Sequence, residues 1–249
     1  MSDDTNVEQP LLGSSSEDAA RVLTHVEQGS RHPLLTCMQC IPGLGGVVFD
    51  QEDRDALWIL RQRVVNEAKP SDQESNRCLL DIWNIAFPDQ RRSDFAPDRD
   101  WQMLGFQGQD PKTDVRSGAW PLRQLASLAS QHPDKLRRMV KHCLGSEASY
   151  IFAISCFNVS HMLGLFFDLV TTVSVSPLPH ASRATRRQLK NLLSLIVAES
   201  QVNGCLCEEV CRRVMNELFV EVMTKVHCSW ISLKQQKSEL TLMDFHLAL

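Results

Sequence analysis

The sequence predicts an all-α protein built as a single irregular multi-helix domain. Apolar residues recur at three- and four-residue spacings over most of the chain, as on the buried faces of amphipathic helices. Hydrophobic residues make up 43% of the chain and charged residues 22%, a composition typical of folded globular proteins. No repeat of fixed period is visible, so we expect one helical domain and not a helical array.

The chain divides into a tail, a connector and a folded domain. Residues 1–35 are acidic, rich in Ser and nearly free of aromatic residues, so they cannot bury enough apolar surface to offset their chain entropy. We therefore predict a disordered tail. Residues 36–50 are apolar but interrupted by Pro and Gly, which predicts a packed connector or a short strand. The folded domain is expected over residues 51–249.

Four helices are predicted in the first part of the domain. The stripe formed by Ala56, Leu57, Leu60 and Val64 predicts a helix from about residue 53 to 68. The same pattern predicts a helix over 74–87, which stops at a proline. After a polar loop, two more helices are predicted over 121–132 and 133–145, each starting with a proline, which a first helical turn tolerates.

The most apolar run of the chain covers residues 150–175 and is long enough to raise the question of a membrane span. It carries Asn158, His161 and Asp168 and has no basic residues directly beside it, which favours a buried core helix. A linker containing two prolines follows at 174–182. Two helices, at about 182–200 and 205–230, and a short last segment complete the predicted fold.

The net charge and the cysteines indicate which partners and which cellular compartment to expect. The net charge of -4 gives no overall basic field, so nucleic acid is not an expected partner. The nine cysteines are an odd number and lie mostly in apolar helical patterns, which suits a reducing compartment. No signal peptide is visible, so we expect a cytoplasmic protein without a transmembrane segment. The basic run at 183–190 is predicted to be a solvated helix face, with peripheral contact to an anionic membrane as the alternative.

Two groups of cysteines have to be considered as metal ligands. Cys37 and Cys40 have the CxxC spacing of a zinc or redox pair, and Cys205, Cys207 and Cys211 follow near the C-terminus. Zinc would require the first pair to meet a second pair in space, and no second CxxC pair is present. The three later cysteines also fit an ordinary helix, so we predict no metal site.

One arginine stands out in the polar loop between two tryptophans, at residues 100–120. The glycines and Pro111 predict a defined turn between Gly105 and Asp114, and Thr113 and Asp114 are good caps for a helix that starts just beyond them. Arg116 would then lie on the first turn of that helix, where dipole considerations disfavour a positive charge. Arg116 either pairs with Asp110 or Asp114, or it presents its guanidinium to a phosphate or carboxylate of a partner.

This loop resembles the hallmark of the ELMO domain family. The matching residues have the family's spacing and are Trp101, Gly105, Phe106, Gln107, Pro111, Thr113, Asp114 and Arg116. Three further landmarks stand in the family's order, at 79–88, 150–167 and 214–249. After the arginine, the family usually has Gly, any residue and Gly, whereas this chain has Ser117, Gly118 and Ala119.

The resemblance implies a split in function. Family members that keep the hallmark arginine are GTPase-activating proteins for small GTPases of the Arf and Arl group, whereas members that have lost it are larger scaffolds that work with DOCK proteins to activate Rac. This chain keeps Arg116, and its 249 residues leave no room for the large additional domains of the scaffolds. Both points favour the activator. The alternative is a non-catalytic adaptor that binds a small GTPase or a DOCK-type exchange factor.

The resemblance also implies a role for each residue of the hallmark. Arg116 would be the catalytic arginine, inserted into the partner's nucleotide site. Gln107, Thr113 and Asp114 would shape the loop or touch the partner. Four further residues would anchor the loop: Trp101, Gly105, Phe106 and Pro111. No cofactor of the protein's own is expected, because the GTP and Mg²⁺ belong to the partner GTPase.

Overall fold

Seven α-helices make up most of the chain that the computed structural model describes, residues 47–115, 118–145, 148–170, 183–237 and 240. In chain order they are α1 Gln51–Ile59, α2 Asp72–Ala86, α3 Trp120–Gln131, α4 Pro133–Leu144, α5 Phe152–Phe166, α6 Arg186–Asn203 and α7 Glu208–Gln236. A π-helical turn, Leu60–Val65, continues α1, and two 3₁₀ turns, Arg99–Leu104 and Pro111–Thr113, precede α3. No strand occurs in these ranges, and the predicted all-α class is confirmed.

The beginning of the domain is fixed by a capping box at α1. The Asp50 carboxylate accepts the backbone N–H of Asp53 at 2.9 Å, and the Asp53 carboxylate accepts the backbone N–H of Asp50 at 2.9 Å. Asp53 is buried and also pairs with Lys190 of α6. Because a buried carboxylate without a partner is costly, this ion pair fixes α6 against α1. The predicted tail and residues 36–46 of the connector lie outside the described residues.

The π-helical turn after α1 places Leu60, Val64 and Val65 in the core. A π turn inserts one residue into the helical repeat, which allows two successive valines to face inward. The chain then leaves the helix at Asn66, whose side-chain amide donates to the Leu169 carbonyl at 2.8 Å. The end of the first helical segment is therefore tied to the chain that leaves α5.

Helix α3 lies at the centre of the fold. It packs against α2, α4, α5 and α7, while α1 packs against α6 and α6 against α7. Its buried residues are Trp120, Pro121, Leu122, Gln124, Leu125, Ser127, Leu128 and Ala129. The burial of so many side chains makes α3 the helix that the rest of the core is built around, and its first residue directly follows the polar loop.

The first part of the most apolar run forms α5, Phe152–Phe166, as the predicted core helix, whereas residues 171–175 lie outside the described residues. Among its buried residues are Phe152, Cys156 and Leu163, whereas Asn158 faces solvent. No helix in the described ranges combines the length and apolar character that crossing a membrane requires. The apolar face of α5 is covered by α3 and α7, which accounts for its burial in a helical core.

A buried polar cluster joins α4 to α7. The ring nitrogens of His142 and His227 are 3.0 Å apart, and the Tyr150 hydroxyl lies 2.9 Å from the other nitrogen of His227. Burial, and after it the nearby His142, lower the pKa of His227 to about 4. Both ring nitrogens of a neutral His227 therefore have partners in the core.

Candidate functional site

The candidate site is the arginine loop, which we define as residues 99–119, between α2 and α3. Its first element is the 3₁₀ turn Arg99–Leu104, which begins where the Asp98 carboxylate accepts the backbone N–H of Asp100 at 3.0 Å. The turn ends at Gly105 in a left-handed conformation. Short 3₁₀ turns of this kind, capped at both ends, give a loop a defined backbone without a full helix.

Trp101 lies on the inner side of the loop and is completely buried. Its indole N–H donates to the Ala96 carbonyl at 3.0 Å, so burial leaves its polar atom satisfied. Its ring meets those of Trp83 and Phe106 edge to face, with centroid separations of 5.2 and 6.0 Å. Phe106 in turn contacts Phe157 of α5 at 6.0 Å. The loop thus has an aromatic core of its own, continuous with the core of the domain.

Gly105 brings the loop backbone into direct contact with the start of α5. Its φ is +86°, and a Cβ at this position would lie 2.2 Å from the Phe152 backbone nitrogen. The Gly105 carbonyl accepts the Ile154 N–H at 3.2 Å. Only glycine permits both the left-handed conformation and the close approach, which explains why this position of the hallmark is a glycine.

The outer part of the loop is shaped by its own polar side chains. The Asp114 carboxylate accepts the Gln107 backbone N–H at 2.8 Å, and the Asp110 carboxylate accepts the Lys112 N–H at 3.0 Å. The Thr113 hydroxyl donates to the Asp110 carbonyl at 2.7 Å. Pro111 is buried and begins the second 3₁₀ turn. Hydrogen bonds from Asp and Thr side chains to nearby backbone stabilise turns of this kind.

The helix predicted over 121–132 is confirmed as α3, Trp120–Gln131, but no helix begins directly after Asp114, where Val115 is not helical. Thr113 and Asp114 were expected to cap a helix starting just beyond them, but α3 begins at Trp120 and its N-cap is Ala119. Asp114 instead ends the 3₁₀ turn, and its carboxylate is used inside the loop. The prediction was wrong because the side chain satisfies a loop amide rather than the first amides of a helix.

Arg116 and Ser117 lie outside the described residues, but the residues on both sides of them are held firmly. Val115 is buried, and its N–H donates to the Lys112 carbonyl at 3.3 Å. On the other side, Gly118 has a φ of +94°, and a Cβ there would lie 3.1 Å from the Glu67 carbonyl oxygen. Ala119 is fully buried. The backbone is left-handed at Gly118 but not at Ala119. The chain therefore has a glycine where that conformation favours one.

Glu67 connects the end of the loop to three other elements. Its carboxylate binds Arg123 of α3 at 2.8 Å and Arg212 of α7 at 3.0 Å. Arg123 also binds Glu74 of α2 at 2.6 Å. A network of this kind is stronger than an isolated surface pair, since Glu67 and Arg123 each have two partners of opposite charge. It fixes the backbone of Glu67 where Gly118 packs against it.

Sequence reasoning missed Arg92, which holds the beginning of the loop. Its guanidinium lies over the rings of Trp83 and Trp101, 4.1 and 5.1 Å from their centroids. It also binds the carboxylates of Asp98 and Asp100 at 2.6 and 3.0 Å. The hydrogen bond from Arg92 is the main reason that the pKa of Asp98 lies below its ordinary value. Asp98 and Asp100, six and eight residues after Arg92, were the only signal of this role in the sequence.

A cleft of about 470 Å³ opens beside the arginine loop. One wall is formed by Gln102, Met103 and Gln107 of the loop, and the other by residues around the end of α4 and the start of α5. Gln107 is exposed, and Leu144 at the opposite wall has an exposed fraction of 51%. The loop therefore borders a surface with both apolar and amide groups, suitable for contact with another protein.

No cluster of three His, Cys, Asp or Glu side chains suited to a metal ion is found among the residues that the structure describes. Cys37 and Cys40 lie outside them. Of the three later cysteines, Cys211 is in α7, whereas Cys205 and Cys207 precede the helix, contrary to the expected helix start.

Comparison with known proteins gives the family that the hallmark residues of the loop resemble. A profile of the ELMO/CED-12 family matches residues 58–249 of the chain. ELMO domain-containing protein B of Dictyostelium discoideum is 32% identical over 124 residues, which cover 49% of this chain and 42% of that protein. ELMO domain-containing protein 2 of Homo sapiens is 26% identical over 98 residues, covering 38% of this chain and 33% of that protein.

These relatives are longer than the region they share with this chain, since the aligned segments span less than half of each relative. ELMO domain-containing protein 2 of Mus musculus aligns over 128 residues at 24% identity, covering 51% of this chain and 40% of that protein. No solved structure matches the chain. The family profile covers most of the sequence and includes the whole arginine loop, so the chain belongs to the ELMO/CED-12 family.

Proposed function

We propose that this protein is a GTPase-activating protein for a small GTPase of the Arf or Arl group, with Arg116 as the catalytic arginine. The observation that carries the proposal is the anchoring of the chain on both sides of residues 116 and 117, by buried Val115 and by Gly118 against the Glu67 carbonyl. The family resemblance supplies the kind of partner, because members that keep the hallmark arginine act on these GTPases.

The chemistry explains why such anchoring matters. GTP hydrolysis passes through a loose transition state in which negative charge is spread over the transferring phosphoryl group. An arginine supplied by a second protein stabilises that charge and accelerates hydrolysis about 10³–10⁵-fold. The gain depends on position, and a misplacement of about 1 Å costs about 100-fold. An arginine between two anchored backbone positions reaches the nucleotide with little loss of conformational entropy.

The remaining loop residues would support docking. Gln107 is exposed at the edge of the cleft and is our candidate for direct contact with the GTPase. Thr113 and Asp114 shape the turn through the hydrogen bonds described above. Trp101, Gly105, Phe106 and Pro111 would act as anchors rather than contacts. GTP and Mg²⁺ would both come with the partner.

The test is single-turnover GTP hydrolysis by a panel of Arf and Arl GTPases, with and without the full chain. We expect at least one GTPase to be accelerated about 10³-fold or more. Arg116→Ala should remove nearly all of this acceleration, and Arg116→Lys should restore little, because a lysine lacks the planar fork of donors. Arg91→Ala is the matched control, since Arg91 is an exposed arginine just before the loop.

Equal acceleration by Arg116→Ala and by the unmutated protein would remove Arg116 from the mechanism. Circular dichroism and the unfolding midpoint of each variant show whether the fold is kept. A GTPase that binds tightly without any acceleration would instead support the adaptor. The replacement of the usual Gly-X-Gly by Ser117, Gly118 and Ala119 is the observation that favours that second candidate.

A further inference from the structure

Trp58 of α1 is an exposed aromatic side chain that neither the core nor the proposed function uses. The chain has five tryptophans, and the exposed fraction is 56% for Trp58 but 2% or less for the other four. Ala56 and Leu60, two positions before and after it, face the core. Residues two positions apart lie on nearly opposite sides of an α-helix, so the burial of these two turns Trp58 towards solvent.

Basic side chains from two parts of the chain lie near Trp58. The Arg63 guanidinium is over its ring, 5.9 Å from the centroid. Arg61, three residues after Trp58, binds the Asp168 carboxylate at 3.1 Å, and Arg183, just before α6, lies 3.8 Å from the same carboxylate. The shared acid therefore brings the entrance of α6 next to the end of α1.

Arg186 extends this basic surface along α6. It is exposed in the first turn of the helix, and its guanidinium lies 5.6 Å from the centroid of the Phe49 ring, just before α1. The contacts of Arg183 and Arg186 with the two ends of α1 place these arginines along the same side of the domain as that helix. We define the basic face as Trp58, Arg61, Arg63, Arg183 and Arg186.

Positive charge is in excess on the basic face, although the net charge of the chain is -4. Two acids reach the face: Asp168, which the two arginines share, and the exposed Asp55, one turn before Trp58, which accepts the Gln51 side-chain amide at 2.8 Å. The other acids of α1 lie in its first turn and at its N-cap, and Lys190 binds two of them, Asp50 and Asp53. Four arginines therefore face two acids.

We propose that the basic face is a docking surface for an anionic lipid membrane. An indole ring is amphipathic and settles at the level of the lipid headgroups, where Trp58 would insert. The arginines are attracted to the negative surface charge, and their apolar stems lie along the interface. None of these residues belongs to the arginine loop, so the proposal does not depend on the GTPase-activating function.

The arrangement of the charges favours a membrane over an acidic protein as the partner. The arginines come from two separate segments and are spread around one aromatic ring, with no pocket of matched donors between them. A fluid anionic surface attracts such dispersed charges one by one, because lipid headgroups move to meet them. A protein partner would instead need carboxylates in a fixed pattern.

The first experiment is co-sedimentation of the full chain with lipid vesicles. One set contains phosphatidylcholine alone, and the other contains equal parts of phosphatidylcholine and phosphatidylserine. We expect partitioning onto the mixed vesicles to be about tenfold stronger than onto phosphatidylcholine. Added NaCl should weaken it, since salt screens charges at an exposed surface.

Trp58 provides a direct readout of the contact, because the other four tryptophans are buried. Iodide in the water should quench mainly Trp58, and the mixed vesicles should protect it. Phosphatidylcholine with brominated acyl chains, included in the vesicles, should quench the same side chain from the membrane side. Trp58→Phe should lose both signals while it keeps most of the binding.

Variants at exposed positions measure the share of each side chain. Arg63→Gln and Arg186→Gln should each lower the partition coefficient for the mixed vesicles about fivefold, and Asp55→Asn should raise it about fivefold. Arg91→Gln, an exposed arginine outside the face, is the matched control and should change it little. Circular dichroism verifies that each variant is folded.

Trp58→Ala should lower the partition coefficient about tenfold, since it removes the apolar area that enters the interface. Its control is Val202→Ala, at an exposed apolar residue near the far end of α6. Binding that is unchanged in both arginine variants, or binding that leaves Trp58 open to iodide, would overturn the proposal. Failure of the unmutated protein to bind the mixed vesicles would also overturn it and would leave an acidic protein surface as the partner.

Discussion

The arginine loop and the turn between α6 and α7, residues 204–207, which we call the thiol turn, both connect helices, yet they are held in opposite ways. The arginine loop is long but has buried aromatic side chains, two 3₁₀ turns and carboxylates that bind its own amides. The thiol turn is short and has an exposed cysteine, and a Cβ added at Gly204 would meet no atom within 4 Å. Length alone therefore does not decide how firmly a loop is held; what decides it is how much of the loop packs against the core.

The two regions should differ most in the stability that is lost when their left-handed glycines, Gly105 and Gly204, are replaced by alanine. Gly105→Ala should lower the free energy of unfolding by about 3 kcal/mol, because the new Cβ would meet the Phe152 backbone nitrogen and the φ is positive. The measurement is urea unfolding followed by circular dichroism.

Gly108 of the same loop provides the control for Gly105. A Cβ at Gly108 would lie no closer than 3.8 Å to any atom outside its immediate neighbours, so Gly108→Ala should change the free energy of unfolding by less than about 0.5 kcal/mol. If the two variants were equally stable, the close contact between the loop backbone at Gly105 and the start of α5 would be contradicted.

The next effect concerns Arg92, which has no counterpart in the thiol turn. Arg92→Ala should lower the free energy of unfolding by about 2 kcal/mol, since it removes the contacts with two tryptophans and two carboxylates. Arg91→Ala is the matched control at an exposed neighbour and should have little effect. A loss of equal size in both variants would mean that charge alone, and not the position of Arg92, matters.

The Arg92 contact also predicts a dependence on pH. The pKa of Asp98 is lowered in the folded protein from its ordinary value of 3.8, so its contribution to stability is present above pH 3.8 and is lost as the pH falls through the folded pKa. The difference in unfolding free energy between Arg92→Ala and the unmutated protein should therefore be smaller in strong acid than at pH 7. A difference that does not change with pH would exclude the Asp98 contact as its source.

The smallest effect is expected in the thiol turn. Gly204→Ala should lower the free energy of unfolding by about 1 kcal/mol, because its φ of +75° disfavours alanine while no neighbouring atom is in the way. The same urea titration measures it. A loss as large as that of Gly105→Ala would show that this turn is packed more closely than its surroundings indicate.

The sequence was a good guide to the helices and a partial guide to the loop. Apolar spacing predicted α2, α3, α4 and the buried helix α5, and the glycines and Pro111 predicted a defined turn between Gly105 and Asp114. The capping role expected of Thr113 and Asp114 was wrong, since an Asp or Thr side chain can bond to a loop amide as readily as to the first amides of a helix. Local patterns do not distinguish these two uses.

The contacts that fix the two ends of the arginine loop could not be read from the sequence. Gly118 packs against Glu67, far away along the chain, and Glu67 is itself fixed by arginines from α3 and α7. The stacking of Arg92 over Trp83 and Trp101 likewise depends on how α2 meets the loop. Such pairings are properties of the tertiary structure, and no periodicity of the sequence encodes them.

The direct join between the arginine loop and the central helix has a mechanical consequence. Ala119 is buried and is followed at once by α3, which contacts α2, α4, α5 and α7. A force transmitted to Ala119 by a docked protein would therefore be resisted by the whole core. Amide hydrogen exchange at Val115, whose N–H is bonded to the Lys112 carbonyl, should then be as slow as in α3 itself, so that this part of the loop would open only when the core unfolds.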